Sequence, residues 1–219
     1  MQLFSNIQKQ LMSSAKGVSF FFILFYMVGI TGMSVPATYP LFLKLIPLAL
    51  LLSSFAVFFF HTEWSKKTII VFLSIFLIGF FIEVAGVKTG VIFGRYTYGS
   101  ALSLKFLDTP VIIGLNWLLL VYISSSVVDR LKTGTVFKVL LSASVLLLYD
   151  LILEQVAPKL DMWRWDNNTV PVQNYIAWFS IAFIFSGYLK TCGIKLQNNL
   201  AAVILICQTA FFTILYFTL

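Results

Sequence analysis

The 219-residue chain is 60% hydrophobic and only 11% charged, with a mean hydropathy of +0.96, whereas ordinary soluble domains carry roughly 25% charged residues. These values argue against a soluble fold. The net charge of +7 would point to nucleic acid in a soluble domain. Here, however, the basic residues sit in short segments between apolar runs, where they act as topology signals and form no phosphate-binding patch.

Crossing a hydrocarbon core of about 30 Å takes about 20 helical residues. Runs of suitable length occur near 17–33, 39–60, 68–87, 109–128, 136–157, 171–190 and 198–219. No alternating strand pattern accompanies them, and lipid leaves no partner for open backbone, so the expected fold is an all-α polytopic bundle of about seven transmembrane helices. No linker or fixed-period repeat divides the chain, which reads as one membrane domain over 1–219. The first run follows Lys9 and Lys16, as a signal peptide would, but no convincing small-residue cleavage site follows it.

Seven spans put the N-terminus and the second, fourth and sixth connections on one side, with Lys9, Lys16, Lys66, Lys67, Arg130, Lys132, Lys138, Lys190 and Lys195. The other side has Lys88, Arg95, Lys105, Lys159 and Arg164, while Lys44 falls inside a span. The positive-inside bias then favours a cytoplasmic N-terminus. It also puts the connections 88–108 and 158–170, the most polar and aromatic of the chain, at one face.

His61 stands with Glu63 and Trp64 at a span end and has no second His or Cys at ligand spacing, so no metal site is expected. Cys192 and Cys207 form no CxxC pair and read as small packing residues. Glu83 lies near the end of an apolar span, where an ionised carboxylate is costly unless paired, hydrated or protonated. It reads either as a functional acid or as an interfacial partner of Lys88 or Arg95. Gly86, Gly90 and Gly94 follow at four-residue spacing, suited to a packed helix or a flat ligand. They lack the Lys-Ser/Thr ending of a phosphate loop. Arg95, Tyr96 and Tyr98 then form a polar aromatic stretch at the bundle mouth, and Asn116 and Trp117 interrupt the fourth span, available to a neighbouring helix or a ligand.

In the fifth span Asp150 and Glu154 are four residues apart and share a helix face. Like charges so close in a low dielectric cannot both ionise cheaply, so one should hold a proton near neutral pH, as acid–base chemistry requires. The alternative is that both pair with Arg95, Lys159 or Arg164. The next connection gathers Asp161, Trp163, Arg164, Trp165, Asp166 and Asn174, and reads as a lid or ligand collar.

The ordered set formed by E-x-x-G-x-x-x-G-x-x-F-G-x-Y-x-Y from Glu83 to Tyr98, P-x-x-x-G-x-N-W from Pro110, then YDLILEQVAP, WRW and VPVQNYIAWF resembles the membrane carotenoid biosynthesis proteins that include carotenoid 1,2-hydratases. The resemblance covers roughly residues 80 to 185. It implies addition of water across the terminal C1=C2 double bond of an acyclic carotenoid or other long isoprenoid, without a redox cofactor, in a cell inner membrane. Other carotenoid biosynthesis enzymes and membrane lipid are the implied partners. In that reaction the Asp150/Glu154 pair would protonate C2, Glu83 would orient water, and Tyr96, Tyr98, Trp163 and Trp165 would face the cation. Arg95, Asn116, Trp117, Asp161 and Asn174 complete the expected binding set.

Competing expectations are a polyisoprenoid cyclase or isomerase using the same cation, a small proton-coupled transporter, and a purely structural membrane protein. A retinal receptor would need a lysine in the last span, and 198–219 has none.

Overall fold

A computed structural model describes residues 15–219; Lys9 lies outside them. The chain folds as an all-α membrane bundle of helices α1 (Ala15–Ser34), α2 (Tyr39–Lys44), α3 (Ile46–Phe59), α4 (Lys66–Thr89), α5 (Ile112–Val128), α6 (Thr135–Val156), α7 (Val172–Thr191) and α8 (Asn199–Thr218). Among the described residues α1, α4, α6 and α8 are long and apolar enough to cross a membrane. The apolar helices α3 and α5 are shorter, and all of these pack together with α7.

α5 is the axis of the bundle. Its sequence is apolar on every face, and a helix of that kind is stable only when it is surrounded. Trp117, Leu119, Val121, Tyr122 and Ile123 are fully buried there. α4, α6, α7 and α8 pack around α5, and α1 lies outside against α8.

The single run expected over 39–60 is instead two helices joined at Leu45. Pro47 is the physical reason: it lacks an N–H, and its ring collides with the carbonyl one turn earlier, so the chain breaks before it and restarts with proline in the first turn. Lys44 accordingly ends α2 and does not lie mid-helix. The span expected from 109 starts at Ile112, because Thr109–Pro110 (β3) pairs with Lys105–Phe106 (β2). Leu107 and Asp108 between them both take positive φ, the backbone of a tight two-residue hairpin.

A second pair of strands positions the site. Tyr96–Tyr98 (β1) and Trp163–Trp165 (β4) run antiparallel, with Tyr96 opposite Trp165, Thr97 opposite Arg164 and Tyr98 opposite Trp163. The connections 88–108 and 158–170 therefore meet at one end of the bundle. The clasp is fastened outside by Asp161, which accepts hydrogen bonds from the Ser100 amide (2.9 Å) and hydroxyl (2.6 Å) and pairs with Arg164 at 3.1 Å.

The glycine series does not pack helices, as its spacing had suggested. A side chain at Gly86 would strike the Phe93 ring, 2.5 Å away, so this glycine lets the returning connection fold back onto α4, while Gly90 ends the helix at φ +67°. The close helix contact is two turns earlier, at Gly79, where an added Cβ would lie 2.9 Å from that of Trp117. Gly79→Val should overpack the α4–α5 seam and lower stability by about 1–3 kcal/mol, read as a lower midpoint of thermal unfolding in detergent. An unchanged midpoint would mean that the seam is not tight.

Candidate functional site

Glu83, Asp150 and Glu154 are all buried at the clasped end of the bundle, at 4%, 0% and 3% exposure. Burial on this scale costs several kcal/mol per charge unless donors replace water. All three have such donors, Glu83 and Glu154 several each. Glu83 Oε2 accepts from the hydroxyls of Tyr96 (2.6 Å) and Tyr98 (2.8 Å), and Oε1 accepts from Trp117 Nε1 (2.9 Å). Glu154 Oε2 accepts from the indoles of Trp163 (3.0 Å) and Trp165 (2.8 Å).

The donors reach the acids because of strand periodicity. In β1 and β4, alternate residues share a face, so Tyr96, Tyr98, Trp163 and Trp165 all point into the bundle while Thr97 and Arg164 point out. Tyr96 and Trp165 are in ring contact at 5.1 Å, and Tyr98 and Trp163 at 6.1 Å. The motifs RYTY and WRW are thus two halves of one aromatic wall.

Asp150 and Glu154 meet through Asn174 at the start of α7. Its single amide nitrogen donates to Asp150 Oδ2 at 3.1 Å and to Glu154 Oε1 at 3.2 Å. Asp150 Oδ1 is buried without a partner. Among the described residues, no lysine or arginine forms an ion pair with any of the three acids. The cations that had been possible partners are engaged elsewhere: Lys88 with Asp108, Arg164 with Asp161, and Lys159 over the Tyr216 ring.

Glu83, Glu154, Asn116 and Asn174 line a chamber of about 20 Å³ walled by Phe93, Tyr96, Tyr98, Trp117, Trp163, Trp165 and Trp178. That is room for about one water molecule. Beside it is an apolar cavity of about 270 Å³ between α1, α3, α6 and α8. Ile113, Asn116 and Trp163 line both spaces. The larger one reaches the outer face of the bundle at Val28, Leu45 and Leu48, which line it and are also exposed.

The structure therefore brings together Glu83, Tyr96, Tyr98, Asn116, Trp117, Glu154, Trp163, Trp165 and Asn174. Asp150 is one helical turn behind, reaching the chamber through Asn174. Arg95 and Asp161 lie outside it: Arg95 is exposed, with its side chain against Gly90, and Asp161 fastens the clasp. Trp178, stacked on Trp117 at 4.2 Å, was missed in the sequence. Its spacing of one helical turn from Asn174 was the available signal. His61 is buried in the connection between α3 and α4, with Nδ1 2.9 Å from the Tyr122 hydroxyl.

The sequence profile of carotenoid biosynthesis proteins matches residues 45–218. The chain belongs to this family. Among curated proteins none matches the chain, and among solved structures none does. The matched stretch contains all three acids and the clasp that covers them, so the chamber of this carotenoid biosynthesis protein is built wholly within it. α1 and α2, which contribute Tyr26, Gly29, Met33 and Phe42 to the apolar cavity, precede the matched stretch.

The Asp161 carboxyl is held below the usual carboxylate range by the Ser100 hydroxyl and amide and by Arg164. A group so shifted stabilises the fold above its unfolded value of about 4 and loses that effect as acid protonates it. The clasp should therefore loosen at low pH and not at high pH. Asp161→Asn should produce the same loosening at neutral pH, seen as faster hydrogen exchange at the amides of Gly99 and Ala101, which donate to Met162 O and Asp161 O. Exchange in the middle of α5 should stay unchanged.

Proposed function

We propose that this membrane protein of carotenoid biosynthesis hydrates the terminal C1=C2 double bond of an acyclic carotenoid. The observation that carries the reading is the junction of the two spaces: a water-sized chamber with two carboxylates shares three side chains with an apolar cavity suited to an isoprenoid chain. An alkene end extending past Asn116 and Trp163 meets water and acid together.

In the proposed mechanism Asp150 and Glu154 share one proton, because two charges joined through one amide cannot both persist in a low dielectric. Glu154, the member lining the chamber, delivers it to C2. The π electrons form the new C–H bond and leave a tertiary cation at C1. The surrounding indole and phenol faces stabilise that cation by about 2 kcal/mol each when desolvated. The chamber water adds through oxygen to C1, and Glu83, held as an acceptor by Tyr96, Tyr98 and Trp117, takes the released proton. The water that refills the chamber touches both carboxylates and returns the proton to the pair. The products balance as alkene plus water to tertiary alcohol.

A transporter would need acids spread through the depth of the bundle, and these three cluster at one end. Room for a water beside the acids favours hydration over internal capture of the cation by a second double bond. In this reading the helices cross the cell's inner membrane several times, with the end bearing Lys66, Lys67, Arg130 and Lys132 toward the cytoplasm.

Expression in cells that accumulate lycopene tests the reaction by mass spectrometry of extracted pigments. The expected product is heavier by one or two waters. Glu83→Gln and Glu154→Gln should each lower its formation by at least about a hundredfold, and Asp150→Asn, which removes the shared proton, should also suppress it. A product isomeric with the substrate would establish cyclisation or double-bond isomerisation instead, and unchanged pigment in membranes containing folded protein would sink the hydratase reading for this substrate.

A further inference from the structure

Hydration needs its water held in place as well as its proton, and one side chain at the junction of the two spaces has no task in the mechanism above. Asn116 stands in the second turn of α5, half-buried, beside the fully buried Trp117. Three residues line both the acid chamber and the apolar cavity. Of these, Ile113 has no polar atom and the Trp163 indole N–H is given to Glu154. Asn116 alone of the three has hydrogen-bonding capacity to spare. Neither end of its amide has a hydrogen-bond partner among the described residues, and neither is sealed off by packing. An amide placed inside a bundle without partners costs free energy unless something in the adjoining space supplies the bonds.

The other polar groups of the chamber are largely committed. A carboxylate offers about four lone-pair sites, and Tyr96, Tyr98 and Trp117 occupy three of those on Glu83. About one is left, enough for a single O–H. Asn174 lines the chamber but not the cavity, and its nitrogen is given to Asp150 and Glu154. A buried water is held by two to four polar partners. At the opening toward the cavity, where an alkene end arrives, the second partner is Asn116. A water with both O–H groups directed to acceptors keeps an oxygen lone pair free.

We propose that Asn116 holds the attacking water, its amide oxygen accepting one O–H while Glu83 accepts the other, so that the free lone pair faces C1. The proposal rests on the hydration reading and adds to it the residue that decides the fate of the cation. Asn116 neither gives nor takes a proton. Protonation of C2 therefore does not depend on it, whereas capture of the cation does. A cation at C1 that meets no held water has another exit: it loses a proton from C2 or from a methyl group on C1, the C–H electrons re-form a double bond, and the proton returns to the acid pair. The net result is alkene to alkene, with hydrogen exchanged.

The test uses the purified full chain, lycopene and a buffer made in deuterium oxide, with mass spectrometry of both the hydrate and the recovered alkene. In the unaltered protein hydrate should predominate. In Asn116→Leu, and in Asn116→Val as a smaller apolar replacement, the ratio of hydrate to deuterium-bearing alkene should fall about tenfold, the equivalent of one hydrogen bond. Deuterium in the recovered alkene also reports that the acid pair of the variant is assembled, which a merely structural loss would not leave intact. An unchanged ratio in either variant would overturn the assignment. So would loss of hydrate and exchange together in both variants at an unaltered thermal midpoint, because the amide would then serve protonation. Absence of both hydrate and exchange in the unaltered protein would remove the hydration reading itself, a result distinct from any change in the ratio.

Discussion

The constraint on which this structure turns is the burial of three carboxyl groups that form no ion pair with a lysine or arginine among the described residues. Glu83 and Glu154 are instead wrapped in phenol and indole donors. Such donors neutralise an anion only partially, leaving it able to accept or release a proton, whereas a buried lysine or arginine would fix its charge. The same aromatic groups wall the chamber between the acids.

That arrangement explains the two short strands in an otherwise helical protein. Four aromatic side chains have to enter from outside the helices and converge on acids carried by α4 and α6. A strand pair is the simplest backbone that points alternate residues the same way. Gly86 and Gly90 make the return possible, the first by leaving room for Phe93 and the second by ending α4 in the left-handed conformation. Asp161 and Ser100 then hold the connection closed from the solvent side.

The helical class was legible because apolar runs of spanning length leave few alternatives, and the acids were legible because each is an exception within such a run. The meeting of the two aromatic connections followed from counting spans. What periodicity and composition did not supply were local breaks and tertiary partners. Pro47 divides α2 from α3 by a backbone clash that a hydropathy average does not register. The strand pairing brings together residues of opposite ends of the sequence motif set, and no local propensity records it. Asp161 and Arg95 read as ligand contacts because polar residues flank an aromatic cluster, yet Asp161 is engaged by Ser100 and Arg164 and Arg95 is exposed.

The outer wall of the large cavity comes partly from α1 and α2, while the acid chamber comes entirely from later helices and the strands between them. On the function proposed above, the chain's berth would draw partly on stretches of sequence that the acid chamber does not use. Substitutions at Val28, Gly29, Met33 or Phe42 can reshape the berth for a longer, shorter or more polar tail while the proton-handling groups keep their geometry. On that reading, one set of acids would serve isoprenoid tails of different shape, with the outermost helices acting as an interchangeable sleeve.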